Sequence, residues 1–107
     1  MPARPKRQVA LVGFMQAGNV TVYAGSWRHP ATEHGFLDQR FYQRLGRTLE
    51  QGCFDMMFFD DRLAMPGIHG GSVADAVRLG ARPVKLDLSI VLGLIAGVTE
   101  HIGLGAT

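Results

Sequence analysis

Three short runs of apolar residues restrict the fold of this sequence more than any other feature. They occupy residues 9–14, 54–59 and 102–107, and each has the length of one β-strand. The first run is continuously apolar and the second lacks alternation, so we expect strands that are buried on both faces, as in a parallel sheet. Residues 1–8 precede the first run and are expected to be disordered.

The stretch between the first two runs contains an apolar stripe at helical spacing. The stripe consists of Phe41, Tyr42, Leu45 and Leu49. It predicts an amphipathic helix that begins near Leu37 and ends near Gly52, a residue type that often follows the last turn of a helix. Residues 15–34 lack such a period and are rich in Gly, Asn, Thr, His and Pro, which predicts a long loop.

A second helix is predicted before the third apolar run. Asp87 has the residue type of an N-cap, and an apolar face follows it. That face consists of Leu88, Val91, Leu92, Ile95, Ala96 and Thr99. Gly93 and Gly97 lie on another face, where we expect them to permit the close approach of a neighbouring element. Residues 60–85 predict a second long loop with a helical turn near residues 73–79.

The resulting order is strand, helix, strand, helix, strand, which predicts an α/β fold with parallel strands. The loops that follow the strands are long, and the links from helix to strand are short. In α/β folds the loops after the strands build the active site. We therefore expect a site where the three strands end, at residues 13–14, 60–61 and 106–107.

The composition of the 107 residues disfavours several classes of function. The formal net charge is +2 and the pI is about 9.1, and no basic stripe with interleaved aromatic residues is present, so we expect no nucleic-acid partner. No apolar stretch is long enough to cross a bilayer, so we expect a cytoplasmic protein with no membrane partner. The single cysteine, Cys53, is expected to be a buried structural thiol. No metal site is expected, because no group of ligands has a convincing spacing.

Three segments in a fixed order resemble a known family. They are AGNVTVYAGSWRHP, FYQRLGRTLEQGCFDMMFFDDRLA and VTEHIGLGAT. At this spacing they are similar to the N-terminus of the bacterial-luciferase-like flavin monooxygenases, in the branch of nitrilotriacetate monooxygenase and dibenzothiophene-sulfone monooxygenase. The resemblance implies that residues 1–107 are the N-terminal part of a single luciferase-like barrel domain. They would be the first β-α-β-α-β portion of a (β/α)8 TIM-type barrel, which typically needs about 250 residues.

The resemblance also implies a reaction. Family members of this branch use reduced FMN, supplied by a separate NAD(P)H:flavin reductase, and O2 to oxygenate a small organic substrate. A sulfur- or nitrogen-containing substrate, a flavin reductase partner and a homo-oligomer in the full-length enzyme are therefore expected. We expect the 107 residues to be inactive alone, because the phosphate-binding groups of such barrels usually come from later strands.

Two residues match cofactor-binding positions of the family. Asp61 matches the acidic residue after the second strand that contacts FMN, and Thr107 matches a threonine that meets FMN after the third strand. Asp60 stands where relatives usually have a small residue or proline, so we favour Asp61 as the carboxylate that faces the flavin. The alternative is structural, with one carboxylate capping the next turn or pairing with Arg62.

Four further residues are expected to line the flavin or substrate pocket. They are Phe14 at the end of the first strand, and Asn19, Trp27 and His29 in the first long loop. Core packing for Phe14 and loop anchoring for the others are the competing interpretations. No catalytic base is assigned.

Two other classes of function compete with the monooxygenase. The first is a nucleotide-binding α/β domain, in which Gly103 and Gly105 would begin a phosphate loop, although a third glycine and a following helix are missing. The second is a truncated, non-catalytic association module, driven by unpaired strand edges and incompletely covered apolar surface.

Overall fold

A computed structural model describes residues 8–18, 25–62, 64–65, 67, 70–81 and 85–107. Within these ranges the chain has three strands, three α-helices and one 3₁₀ turn. In chain order they are β1 (Val12–Met15), the 3₁₀ turn Ser26–Arg28, α1 (Gln39–Gln51), β2 (Met56–Phe59), α2 (Ala74–Leu79), α3 (Leu88–Ala96) and β3 (Gly103–Ala106). The expectation of disorder for residues 1–8 falls mostly on residues 1–7, which lie outside the described residues.

The three strands form one parallel sheet in the order β1-β2-β3. Val12 lies opposite Met56, which in turn lies opposite Gly103, so the strands are in step along their whole length. The predicted α/β order with parallel strands is confirmed. The predicted helical turn near residues 73–79 is confirmed as α2.

The hydrophobic core lies on one side of the sheet, between the strands and the helices α1 and α3. Its largest fully buried side chains are Tyr42, Met57, Phe59, Val91 and Ile95. Helices α1 and α3 each begin at an aspartate whose carboxylate accepts a hydrogen bond from a backbone N–H of the first turn, which satisfies one of the free donors there. Asp38 accepts from Arg40 N at 2.9 Å, and the predicted N-cap Asp87 accepts from Ser89 N at 2.8 Å.

The opposite side of the sheet is apolar and open among the described residues. Val12 is 51% exposed, Phe14 56% and Met56 36%, because no described helix covers this side. The prediction that the first two strands are buried on both faces is therefore wrong for this structure. Gly105 also lies on this side, where an added Cβ would come within 3.0 Å of the Phe58 ring.

The glycine that lets the two long helices approach each other is Gly46 in α1. A Cβ atom at this position would lie 2.7 Å from Ile95 Cγ2 and 3.3 Å from Thr99 Cγ2. The prediction of close approach at Gly93 and Gly97 is wrong. A Cβ at Gly93 would meet nothing within 4 Å, and one at Gly97 would meet only carbonyl oxygens of α3 itself.

The link from α1 to β2 turns at Cys53 and not at Gly52. Gly52 caps the helix with φ −77°, whereas Cys53 has φ 57°, in the left-handed region that side chains disfavour. Cys53 is exposed, so the prediction of a buried structural thiol is wrong. The reason is geometric, since this residue reverses the chain at the surface between a helix and a strand.

The carboxylate of Glu50 connects the end of α1 to the start of β3. One oxygen, Oε1, accepts hydrogen bonds from three consecutive backbone N–H groups, those of Glu100 at 2.9 Å, His101 at 2.6 Å and Ile102 at 3.0 Å. These bonds stabilise the ionised carboxylate and hold the pKa of Glu50 below its usual value, with the bond from His101 the largest cause.

The first prediction concerns the helix contact at Gly46. We expect Gly46→Ala to lower the free energy of unfolding by about 1–3 kcal/mol, because the new methyl group collides with the buried Ile95. The matched control is Gly93→Ala, which has open space and should be neutral or stabilising by up to about 1 kcal/mol. Urea denaturation of both variants measures this, and equal effects would contradict the packing described.

The second prediction concerns the pH dependence of Glu50→Gln. Because the folded pKa of Glu50 lies below its unfolded value near 4.5, the ionised carboxylate stabilises the fold above that pH. This contribution is lost as the pH falls through the folded pKa. We therefore expect Glu50→Gln to be destabilising at pH 7 and progressively less so below about pH 4.5.

Denaturation curves at pH 7 and pH 3 test this expectation. Glu100→Gln is the control, because the Glu100 side chain is 85% exposed and its nearest described ionic partner is His101 at 3.8 Å. A destabilisation of Glu50→Gln that does not depend on pH would show that ionisation of this carboxylate is not what holds the loop.

Candidate functional site

A cavity of about 510 Å³ lies where β2 and β3 end and α3 begins. It is lined by residues 61–62 after β2, residues 85–89 and 92 at the start of α3, and residues 106–107 at the end of β3. The strands end together because they are parallel and in step, and the N-terminus of α3 comes to the same edge. The volume falls in the range of small-molecule sites in proteins, about 300–1,000 Å³.

The structure brings together the two predicted cofactor-binding residues, Asp61 and Thr107, at this cavity. The backbone N–H of Asp61 donates to Thr107 Oγ1 at 3.4 Å, and Thr107 N donates to Phe59 O at 3.2 Å. Asp61 Oδ1 accepts from the backbone N–H of Arg62 at 2.7 Å. The bond to Arg62 is the kind of local capping that the structural interpretation of the aspartates expects, and it leaves other lone pairs of the carboxylate to face a ligand.

The neighbouring carboxylate, Asp60, has a different partner. Lys85 Nζ lies 2.9 Å from Asp60 Oδ1 and 3.1 Å from Asp60 O. The Lys85 side chain is only 9% exposed and that of Asp60 22%, so the ion pair is largely shielded from water. Lys85 lines the cavity, and sequence reasoning missed it. Nothing in the local pattern marks a lysine that is 25 residues away from its partner.

Three of the other predicted pocket residues lie away from this cavity. Phe14 is on the open side of the sheet, with its ring 6.3 Å from that of Phe58. Trp27 packs against the end of α2, where a Cβ at Gly80 would be 2.6 Å from its ring. His29 is exposed, and its Nδ1 accepts from Ala31 N at 3.1 Å.

Among the described residues, the buried indole N–H of Trp27 has no acceptor. Gly80 caps α2 with φ 65°, so this position needs a glycine both for its backbone and for the ring that covers it. Asn19 lies outside the described residues, and its predicted role stays a prediction.

A second, apolar cavity of about 210 Å³ lies between α1 and α3. It is lined mainly by leucine, isoleucine and valine side chains together with Tyr42. The Tyr42 hydroxyl donates to Phe36 O at 2.7 Å, and burial raises the pKa of this tyrosine. Its hydroxyl therefore stays protonated at neutral pH and serves to anchor the loop before α1.

The described part of the chain holds no group of three or more His, Cys, Asp or Glu residues arranged to bind a metal ion. It also holds no helix long and apolar enough to cross a membrane.

The geometry defines a class of protein. A parallel sheet has its helices on one side, and a cavity at the carboxyl ends of its strands is lined by a carboxylate, a hydroxyl and a lysine. This is where α/β enzymes place their active sites.

Comparison with curated proteins identifies relatives of this class. The chain is 45% identical to dibenzothiophene-sulfone monooxygenase of Rhodococcus erythropolis over 103 residues, which are 95% of this chain and 23% of the relative. It is 30% identical to dimethyl-sulfide monooxygenase of Hyphomicrobium sulfonivorans over 103 residues, 95% of this chain and 22% of the relative. It is 34% identical to component A of nitrilotriacetate monooxygenase of Aminobacter aminovorans over 93 residues, 80% of this chain and 20% of the relative.

Solved structures show the same fold. A long-chain alkane monooxygenase superposes with a TM-score of 0.87 at 24% identity, over 95% of this chain and 24% of that one. DmoA from Hyphomicrobium sulfonivorans superposes with a TM-score of 0.84 at 29% identity, over 94% of this chain and 22% of that one. A riboflavin lyase solved with modified FMN and riboflavin gives 0.81 at 22% identity, over 94% of this chain and 23% of that one.

Over about 95% of its length the chain is similar to these named monooxygenases, which supports the luciferase-like monooxygenase family that the sequence motifs indicate. Its structural neighbours are TIM-barrel proteins, so the sheet and helices described here correspond to part of such a barrel. The chain spans about a quarter of the length of the relatives that it matches. A scan against models of known protein families finds no match.

The third prediction concerns the ion pair beneath the cavity. We expect Lys85→Met or Asp60→Asn to lower the free energy of unfolding by about 3 kcal/mol, because each leaves one shielded charge without its partner. The double variant should lose less than the sum of the two, with a coupling of about 1–3 kcal/mol. The control is Arg78→Met at the exposed Asp75–Arg78 pair, which should cost under about 1 kcal/mol. Additive losses at residues 60 and 85 would contradict the coupling.

Proposed function

We propose that this chain forms one wall of the flavin site of a two-component monooxygenase. Such an enzyme would use reduced FMN and O2 to oxygenate a small organic substrate that contains sulfur or nitrogen. The observation that carries the proposal is the meeting of Asp61 and Thr107 at one cavity of suitable size. The relatives support the reaction class, since their names are those of monooxygenases for a sulfone, a sulfide and nitrilotriacetate.

The residues at the cavity fit a flavin. Asp61 offers carboxylate oxygens that accept hydrogen bonds from a ring N–H or from ribityl hydroxyls, and the Thr107 hydroxyl both donates and accepts. Leu88 and Leu92 add apolar surface on the side of α3. A site for a planar ring needs both apolar and polar side chains, because apolar walls exclude water and a few polar groups fix the orientation of the ring.

In the proposed function the protein binds and orients the flavin, and the flavin supplies the chemistry. Reduced FMN, when bound, supplies the electrons that activate O2. We assign to Asp61 and Thr107 the orientation of the flavin, and to the leucines the exclusion of water from it. Neither carboxylate at the end of β2 is assigned to the FMN phosphate, since their charges have the same sign.

Several parts of the proposal extend beyond the cavity. A separate NAD(P)H:flavin reductase, a homo-oligomer and a cytoplasmic location stay predictions, as does the inactivity of the 107 residues alone. Phe14, Asn19, Trp27 and His29 stay proposed pocket residues. Phe14 has the strongest case, because it presents its ring on the open side of the sheet beside Phe58.

The nucleotide-binding alternative loses its main feature in the structure. Gly103 and Gly105 lie inside β3, where they pair with Met56 and Phe58, and not in a loop that precedes a helix. A phosphate loop needs free backbone N–H groups at a helix N-terminus. The association-module alternative rests on the open apolar side of the sheet, and it predicts a chain that self-associates without binding flavin.

The fourth prediction tests the flavin site through Asp61. We expect the intact polypeptide to bind FMN saturably, and Asp61→Ala to weaken the binding about 10- to 100-fold, as expected for loss of a hydrogen bond to a charged group. Flavin fluorescence, with oxidised FMN and then anaerobically reduced FMN, measures the affinity. Glu100→Ala is the control, since Glu100 is exposed and lies at the opposite end of β3 from the cavity.

The outcomes separate the candidate functions. Equal affinities for Asp61→Ala and the unaltered protein would remove Asp61 from the site. A folded protein that binds no flavin at all, oxidised or reduced, would refute the proposed function. Concentration-dependent self-association without flavin binding would favour the association module.

A further inference from the structure

Lys85 is the feature of the cavity that neither the sequence nor the proposed function explains. Its side chain is nine-tenths buried, yet the residue lines the cavity. An ammonium group has three N–H donors. Two of the described contacts are to Asp60, one to the carboxylate and one to the backbone carbonyl. Among the described residues no acceptor takes the third donor.

The charged groups around the cavity indicate which kind of acceptor suits this third donor. Asp60 binds the ammonium group of Lys85 but does not itself line the cavity. Two other carboxylates of the lining bond to backbone N–H groups, Asp61 to that of Arg62 and Asp87 to that of Ser89. The N-terminus of α3 adds a partial positive charge at the same edge, because the peptide dipoles of a helix sum along its axis.

We propose that Lys85 donates to the flavin ring and is the residue that makes this site favour the anionic ring of reduced FMN over the neutral ring of oxidised FMN. The inference rests on the proposed function and assigns its use of reduced FMN to a particular residue of the cavity. The reduced ring carries a negative charge when its N1 position is deprotonated, whereas the oxidised ring is neutral. A positive group near N1 is one of the ways in which a protein tunes a bound flavin.

Burial makes the effect of Lys85 larger than that of an exposed cation. Charge interactions are stronger where water is excluded, and the side chain of Lys85 is 9% exposed. Arg62 also lines the cavity but is exposed, so solvent screens its charge. Asp60 partly neutralises the ammonium, so its removal should strengthen the preference for the anion.

The test compares two affinities in each of several variants of the intact polypeptide. Dissociation constants for oxidised and for anaerobically reduced FMN are measured with Lys85→Met, Lys85→Arg, Asp60→Asn and the control Arg78→Met, which removes an exposed cation outside the cavity lining. We expect Lys85→Met to weaken the binding of reduced FMN about 10-fold or more, as for a lost charged hydrogen bond, and that of oxidised FMN much less. Lys85→Arg should restore most of the preference, and Asp60→Asn should increase it.

The midpoint potential of the bound flavin gives an independent readout. Tighter binding of the reduced form raises this potential, so Lys85→Met should lower it and Asp60→Asn should raise it. A purely structural role for Lys85 would not move these two variants in opposite directions. If Lys85→Met does not fold, Asp60→Asn and Lys85→Arg still decide the question.

Each remaining outcome has a defined meaning. Equal losses of oxidised and reduced FMN in Lys85→Met, or a fall in preference for Asp60→Asn, would overturn the inference and leave the proposed function standing. The same would follow if Lys85→Met weakened the binding of FMN but not that of riboflavin, which lacks only the phosphate, because Lys85 would then contact the phosphate and not the ring. Absence of flavin binding by the unaltered protein would overturn both.

Discussion

The close contact between α1 and α3 at Gly46 determines where the other parts of the structure lie. Because a side chain is absent there, Ile95 packs directly against the helix backbone. Ile95 is also fully buried in the core with Met57 and Phe59 of β2. The same contact therefore fixes both the spacing of the helices and their height over the sheet. It brings the first residues of α3 to the edge where β2 and β3 end, and the cavity forms between them.

The fold could be predicted from the sequence because its signals are local. The four-residue spacing of the α1 stripe, the Asp87 cap and the apolar strands each depend on residues within a few positions of one another. Gly46, Glu50 and Lys85 were missed for the opposite reason. Their partners are about 25 to 50 residues away, and nothing in a single sequence shows which chain segments meet.

The candidate site was predicted in part for the same reason. Asp61 and Thr107 are strand-end residues, and parallel strands that run in step bring such residues together. The resemblance to a family then selected these two residues. Trp27 and His29 were chosen from a loop, where side-chain direction does not follow from any period, and they lie away from the cavity. Cys53 was misjudged because apolar neighbours in sequence do not reveal a left-handed turn at the surface.

The two adjacent aspartates after β2 differ in their contacts, because Asp60 forms an ion pair with Lys85 whereas Asp61 lines the cavity. Asp60 is bound to Lys85 through both its carboxylate and its backbone carbonyl, which ties the segment that leads into helix α3 to the end of the strand. Asp61 then follows a fixed point of the chain. Because Asp60 and Lys85 lie at the two ends of the segment between β2 and α3, their ion pair holds these two ends together.

The glycines of β3 have a consequence for the open side of the sheet. At Gly105 the surface of β3 is bare backbone, and the ring of Phe58 from the next strand lies over it. Phe58 in turn neighbours Phe14 on β1, so aromatic side chains from two strands cover the surface of three. The contour of this side of the sheet is therefore controlled from a position that contributes backbone but no side chain. A lineage that acquired a side chain at residue 105 would displace the Phe58 ring from its place beside Phe14, and in this way a single codon would reshape the open side of the sheet.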